Sequence, residues 1–212
     1  MARSRDISKV LSSNSTLATD AEVAATYQTK SSTGLTLITP STITVTGGSG
    51  SIGATGTVTV TTASSVSLNG IFSSTYNNYL VLFGLTGSTA IDLLARLRAS
   101  GTDNSSANYG RQLIFGDTSL SASSTGSATS WNLGQLYDAD GKRTVLDLMV
   151  KDPASSSIYT TGRADSISSA NSAPYALKSL FGTTVTTAYD SITFIASSGT
   201  ITGTISVYGY NK

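Results

Sequence analysis

The sequence predicts an all-β protein whose C-terminal part is an antiparallel β-sandwich or jelly roll. Serine and threonine make up about a third of the 212 residues, and this usage favours strands and turns. Candidate strands recur about every 10–14 residues between residues 64 and 212, separated by clusters of Gly, Ser, Asn or Asp. With 39% hydrophobic and 12% charged residues, the chain has enough apolar content for a core and lacks the charge of a disordered protein.

Residues 1–33 differ from the rest and are predicted to form an N-terminal anchor with one short helix. A capping-box pattern begins at Thr19 and predicts a helix from Asp20 to Gln28. Val23 and Tyr27, four residues apart, share one face of this helix. Because isolated helices need about 12–15 residues to be stable, this one is expected to pack on something else, such as a partner chain.

Residues 34–63 are predicted to form a small β-rich adaptor or stem. Threonines alternate with β-branched apolar residues at 43–45 and 58–60, and the glycine-rich segment 47–53 is expected to be a flexible turn. This region has few aromatic or bulky side chains. Its core is therefore thin unless another copy of the chain supplies the opposite face.

Residues 64–212 carry nearly all the large side chains and are predicted to form the sandwich. The spacing places strands at Val66–Phe72, Tyr79–Leu85, Leu93–Ala99, Gly110–Phe115, Ser130–Tyr137, Arg143–Val150, Ile158–Ala164, Ala176–Phe181, Ser191–Ala196 and Gly203–Tyr210.

Ile91–Arg98 has helical propensity, so two interpretations compete for this segment. The strand is favoured, with Leu93, Ala95 and Leu97 facing inward and the residues between them facing outward. The segment 143–151 has apolar residues on both faces, which predicts a strand inside a sheet with an interface on each side.

The end of the chain is predicted to be a β-hairpin. Apolar residues alternate from Ile192 to Ala196, Ser197-Ser198-Gly199 supplies a turn, and the alternation resumes at Ile201. Gly203 and Gly209 in the last strand are expected to permit the close approach of a neighbouring backbone.

Composition excludes several classes of function. The chain has no cysteine and no histidine, which removes disulfides, thiolate catalysis and the commonest general base and metal ligand. A net charge of +1 gives no electrostatic footprint for nucleic acid, and no run of about 18 apolar residues predicts insertion in a membrane. We therefore expect a non-enzymatic protein without cofactor or metal, made in the cytoplasm and kept soluble.

Three motifs of catalytic or metal-binding type have simpler explanations. The segment 47–53 lacks the Lys-Ser/Thr and the helix of a phosphate loop, so a turn is favoured. Asp138-Ala139-Asp140-Gly141 opens like a calcium loop but lacks the closing Glu, so a hairpin turn is favoured. Glycoside hydrolysis needs two carboxyl groups about 5–10 Å apart, and none of the 12 acidic residues lies in a conspicuous aromatic setting.

Aromatic residues beside long polar segments predict a site for a glycan or receptor. Segments 102–108 and 118–130 exceed the usual length of hairpin loops, and long loops on a rigid scaffold often carry function. Exposed rings there would stack on a sugar, with amide and carboxylate groups as hydrogen-bond partners. The predicted site comprises Asp103, Asn104, Asn108, Tyr109, Trp131 and Tyr137. The alternative is that Trp131 and Tyr137 fill the core or a subunit interface.

The basic N-terminus predicts a second site, at which the anchor docks on another protein through its charges and its helix face. The residues concerned are Arg3, Arg5, Lys9, Val23 and Tyr27.

Five segments in a fixed order resemble virion structural proteins of tailed bacteriophages, in particular tail-fibre-like proteins of phages that infect aquatic bacteria, such as cyanophages. They are MARSRDISKVL, GGSGSIGATGTVTV, SSVSLNGIFSSTYNNYLVLF, LLARLRASGTDNSSANYGRQ and YDSITFIASSGTITGTISVYGYNK. The matching positions include Asn69-Gly70, Phe72, Tyr79, Arg96, Arg98 and Tyr208-Gly209-Tyr210.

This resemblance implies an external appendage of the virion, often a homotrimer, whose leader docks on the particle and whose β-domain faces the host. The expected function is that of a tail fibre that mediates host attachment. The alternative is a capsid decoration or head-fibre protein. A polysaccharide-degrading spike is disfavoured, because the sequence has no β-helix repeat.

Overall fold

The computed structural model describes residues 34–116, 119–137, 144–170 and 173–210. The chain divides into two compact units, residues 1–35 and residues 36–212, and nearly all described residues belong to the second. All of its regular elements within the described residues are β-strands. The predicted helix Asp20–Gln28 lies outside the described residues. The strands are β1 (Thr36–Ile38), β2 (Thr42–Thr46), β3 (Ser49–Ile52), β4 (Val58–Ala63), β5 (Ser65–Asn69), β6 (Asn78–Gly87), β7 (Ile91–Ala99), β8 (Thr102–Asp103), β9 (Tyr109–Gly116), β10 (Leu120–Ala128), β11 (Trp131–Leu136), β12 (Thr144–Lys151), β13 (Thr161–Ala170), β14 (Ala173–Thr183), β15 (Ser191–Ala196) and β16 (Ile201–Tyr210).

The strands form two antiparallel sheets, as predicted. The larger sheet has ten strands in the order β10-β9-β14-β13-β12-β6-β16-β4-β3, with β1 paired to β16. The smaller sheet has six strands in the order β11-β7-β15-β5-β2, with β8 paired to β7.

One hydrophobic core lies between the two sheets. Phe83 of the larger sheet meets Phe194 of the smaller one edge to face, with ring centroids 4.9 Å apart. Trp131 of the smaller sheet stacks on Phe181 of the larger one, also at 4.9 Å. Such aromatic pairs contribute about 0.5–1.5 kcal/mol beyond their buried area. Because the inward residues of both sheets share this core, the described architecture is a β-sandwich.

The ambiguous segment Ile91–Arg98 is a strand, which confirms the preferred interpretation. It forms β7, in which Leu93, Ala95 and Leu97 are fully buried. The alternate residues, including Arg96 and Arg98, are half-buried on the other face. Alternation at period two keeps both guanidinium groups out of the apolar core, where an unpaired charge would be costly.

The predicted terminal hairpin is wrong, although both of its strands exist. Strand β15 lies in the smaller sheet between β7 and β5, whereas β16 lies in the larger sheet between β6 and β4. The turn at Gly199, which has a φ of 60°, therefore crosses from one sheet to the other. Alternation specifies which face of a strand is buried. It does not specify whether two consecutive strands are neighbours in one sheet, as in a hairpin, or lie in two sheets that face each other.

The two glycines of β16 do allow close approach, as predicted. Gly203 has a φ of 138°, and a Cβ there would clash with the carbonyl oxygen of Gly84. A Cβ at Gly209 would lie 2.5 Å from the ring of Tyr76. The last strand is consequently held closely on both sides inside the larger sheet.

Residues 34–63 were expected to form a separate adaptor, but their described strands belong to the two sheets of the sandwich. β2 pairs with β5, while β1 and β4 both pair with β16. Residues 49–52, expected to lie in a flexible turn, form β3. Val58 and Val60 gain a core because the strands beside them carry the large side chains that this segment lacks.

The polar segment 118–130 was expected to be a long loop, yet most of it is strand β10. This strand is the edge of the larger sheet, and its side chains are exposed on both faces. A strand with no buried face needs no apolar alternation, so its sequence lacks the usual signal. The strand predicted at Ile158 begins only at Thr161, and Ile158 and Tyr159 are exposed ahead of it.

Candidate functional site

Two of the six residues predicted to bind a glycan lie in the core. Trp131 and Tyr109 have no exposed surface, and their rings meet edge to face with centroids 5.7 Å apart. Neither ring can therefore stack on a sugar. The glycan-binding role predicted for these two side chains is wrong, and the alternative of a core role is the one observed for Trp131. Each ring lies at the first residue of its strand, where the inward face is buried.

Three of the other predicted residues meet at a recess on the surface. Asp103, Asn104 and Asn108 line a depression of about 260 Å³. Its remaining lining comes from residues 99 and 102 and from the segment before β15: Val185, Thr187 and Tyr189. Tyr137 does not line this recess; its hydroxyl donates to Oε1 of Gln135 at 2.6 Å. The sequence thus predicted three residues of the recess. The opposite wall of the recess lies about 80 residues further along the chain, and nothing in the sequence of that segment marked it as part of a site.

Arg98, on the outer face of the smaller sheet, holds Asp103 of the recess in place. Its guanidinium pairs with Oδ1 of Asp103 at 2.5 Å and donates to the hydroxyl of Thr193 at 3.1 Å. Thr193 in turn donates to the same carboxylate oxygen at 2.7 Å, and Arg98 also donates to Ser67 at 3.0 Å and to the carbonyl of Gly101. Because the side chain of Arg98 is only 13% exposed, this network fixes the position of Asp103.

Tyr109 holds the next residue of the recess through its buried hydroxyl. That hydroxyl accepts a hydrogen bond from the backbone N–H of Leu97 at 3.0 Å and donates to the carbonyl of Asn104 at 2.8 Å. Burial raises the pKa of Tyr109 far above its ordinary value, so the hydroxyl stays protonated and keeps its donor role. The side-chain amide of Asn104 also donates to the hydroxyl of Tyr189 at 2.7 Å. Tyr109 is therefore a positioning residue for the recess.

The recess presents polar groups on a preformed surface, and two of its oxygen atoms are acceptors. Asp103 supplies a carboxylate, and Oδ1 of Asn108 is buried without a hydrogen-bond partner among the described residues. A buried polar atom of this kind is normally satisfied by a water or a ligand. Ligand groups that donate hydrogen bonds, such as hydroxyls, match these acceptors.

The residues predicted to dock the N-terminus, Arg3, Arg5, Lys9, Val23 and Tyr27, lie outside the described residues, and so does the calcium-like segment 138–141. Within the described ranges, no cluster of three or more acidic, His or Cys side chains could hold a metal ion. The described part of the chain also contains no helix with the length and apolar character needed to cross a membrane.

No protein-family profile, curated protein or solved structure matches this chain.

Proposed function

We propose that this protein is a non-enzymatic structural component of a bacteriophage virion, a tail fibre or similar appendage, that contacts the host surface through the recess. The proposal is supported by the resemblance of the five sequence segments and by one structural observation. That observation is the convergence of Asp103, Asn104 and Asn108 on a recess that the Arg98 network and Tyr109 hold in place.

A fixed recess favours binding because its polar groups need no further ordering when a ligand arrives. The lining is polar, and its one carboxylate, Asp103, is already paired with Arg98, which favours neutral glycans that carry many hydroxyl groups. A single shallow site of this size binds weakly. Several copies tethered on one particle would raise the overall affinity through effective concentration.

In this proposal, residues 1–33 attach the protein to the particle, with Arg3, Arg5 and Lys9 facing acidic groups of a neighbouring virion protein. The sandwich carries the recess that contacts the host surface. A capsid decoration or head-fibre protein would use the same two parts. Copy number per particle separates these locations, because tail appendages occur in a few tens of copies and decoration proteins in several hundred.

Adjacent residues at the rim offer a matched test of the recess. Thr187 lines the recess, whereas its exposed neighbour Thr186 does not. A tryptophan at position 187 would fill the recess and cover Asp103 while leaving the residues of the Arg98 network unchanged. We expect Thr187→Trp to lower the attachment of particles to host cells at least tenfold, which corresponds to about 1.4 kcal/mol of the overall binding free energy.

Thr186→Trp adds the same bulk and should leave attachment unchanged. Thermal unfolding of both purified variants should match that of the parent protein, since both positions are exposed. Normal attachment by correctly folded Thr187→Trp particles would refute the recess as the receptor site. Absence of the protein from purified particles would refute its place in the virion.

A further inference from the structure

Strand β10 is an unprotected sheet edge. Among the described strands it pairs only with β9, and its side chains are exposed on both faces. Soluble proteins usually guard such an edge with lysine, proline or a marked bulge. Residues 119–137 contain no charged residue and no proline. The pairing with β9 is regular from Leu120 to Thr125, and the register shifts only after that, between Thr125 and Ala128. Among the described residues, the edge from Leu120 to Thr125 is therefore open to pairing with another strand.

A groove of about 620 Å³ crosses the outer face of the sheet beside this edge. Gly110, Gly126 and Gly182 line it, on three neighbouring strands. None of the three has φ in the left-handed region. A Cβ would meet nothing closer than 3.7 Å at Gly110 and 3.8 Å at Gly182, and nothing within 4 Å at Gly126. Neither backbone conformation nor packing requires glycine at these positions. Because none of the three residues has a side chain, the groove stays open.

An exposed leucine lies on the same strand and the same face as this groove. Leu120 is 85% exposed, more than any other large apolar side chain in the described part of the chain. It lies opposite Gly116 on β9, while Ser124, four residues further along β10, lies opposite Gln112 at the groove. Even-numbered residues of β10 share one face, so Leu120 points to the side on which Leu180 and Gln112 form the groove walls.

We infer that two copies of this chain associate edge to edge through antiparallel pairing of their β10 strands, with Leu120 of each copy in the groove of the other. A two-fold axis across β10 brings the beginning of one strand beside the end of its partner. Each leucine then lies near the partner copy's groove, so the same leucine–groove contact forms twice in the dimer. Pairing also satisfies the free backbone N–H and C=O groups of both edges.

The features of β10 favour a second copy over another occupant. One edge carries both the apolar side chain, on β10, and the groove, which β10 forms with β9 and β14, so the edge is complementary to itself. With no charge between residues 119 and 137, self-pairing brings no like charges opposite each other. This association holds whether or not the protein belongs to a virion. A two-fold pair also differs from the homotrimer that the resemblance implies, and the mass in solution separates the two.

Analytical ultracentrifugation of the full chain over a range of concentrations tests the inference. We expect a species of twice the 21.7 kDa chain mass. Leu120→Lys, which charges the inserted side chain, and Gly126→Leu, which fills the groove, should each weaken the dimer at least tenfold. The matched control is Val145→Lys, because Val145 is 69% exposed on β12, away from this edge. It should leave the dimer unchanged.

Cysteine crosslinking gives a second measurement that does not depend on affinity. The chain has no cysteine, so any disulfide formed by a single-cysteine variant joins two copies. If Leu120 lies opposite the partner copy's Ser124, the two-fold axis passes through position 122, and only a residue at the axis lies opposite its own copy. Ala122→Cys should therefore crosslink on oxidation, whereas Val145→Cys should not. A monomer at all concentrations, a trimer, or a dimer that only Val145→Lys disrupts would overturn the inference. So would a monomer whose groove binds an extended peptide or a glycan instead.

Discussion

Tyr109→Phe removes a single oxygen atom and tests whether the core tyrosine holds the recess in place. The hydroxyl links two parts of the chain, since it accepts from the N–H of Leu97 and donates to the carbonyl of Asn104. The ring itself stays, and with it the edge-to-face contact with Trp131 at 5.7 Å. Any loss of stability therefore reports on the two hydrogen bonds and not on packing.

The expected magnitude comes from the group that loses its partner. Leu97 has no exposed surface, so its N–H would be left buried without an acceptor. An unsatisfied buried donor costs about 1–3 kcal/mol. For a domain of this size, each kcal/mol lowers the unfolding midpoint by about 2–4 °C, so we expect a decrease of about 2–12 °C.

Denaturant unfolding at neutral pH measures this loss, and amide hydrogen exchange locates it. Protection should fall most at Leu97 and in the loop from Asn104 to Asn108. Tyr208→Phe is the matched control, because Tyr208 is half-buried and its hydroxyl makes no hydrogen bond within the described residues. Equal stability of the two phenylalanine variants would show that the hydroxyl of Tyr109 does not hold this loop.

Two further substitutions test charge and backbone geometry. Burial and the neighbouring Asp165 raise the pKa of Asp147. The stability that this acid contributes is present below its unfolded pKa and is lost as pH rises through the raised folded value. Asp147→Asn should therefore raise the denaturation midpoint at pH 7 but not below the ordinary pKa of 3.8, and an equal effect at both would contradict this. Gly203→Ala forces a Cβ against the carbonyl of Gly84, and should cost at least the roughly 1–3 kcal/mol of a strained backbone. Gly126→Ala is the control, because a Cβ there meets nothing within 4 Å. Similar unfolding midpoints of the two alanine variants would contradict the claim that position 203 has no room for a Cβ.

Alternation made much of the sandwich predictable. It identified β7 as a strand in a segment with helical propensity, because period two separates its arginines from Leu93, Ala95 and Leu97. It also identified Gly203 in β16 as a point of close approach. The sequence failed at β10, because an edge strand exposed on both faces has no apolar period to detect.

The candidate site was only partly predictable for a related reason. Polar residues near Asn104 marked the loop correctly, whereas the choice of Trp131 and Tyr109 as exposed rings was wrong. An aromatic residue beside a polar segment has the same local sequence whether it points to solvent or to the core. Arg98 likewise gave no signal of its role, since its partner Thr193 lies 95 residues further along the chain.

The class of fold and the buried face of most strands could be predicted from the chain, because they depend on local composition and on the two-residue period of a strand. The identity of each strand's neighbours became known from the folded structure alone. It placed β15 and β16 in different sheets, brought Asp103 next to Tyr189, and left the uncharged strand β10 at an open edge. Strand pairing is a contact between distant segments, and many pairings satisfy the same pattern of buried faces.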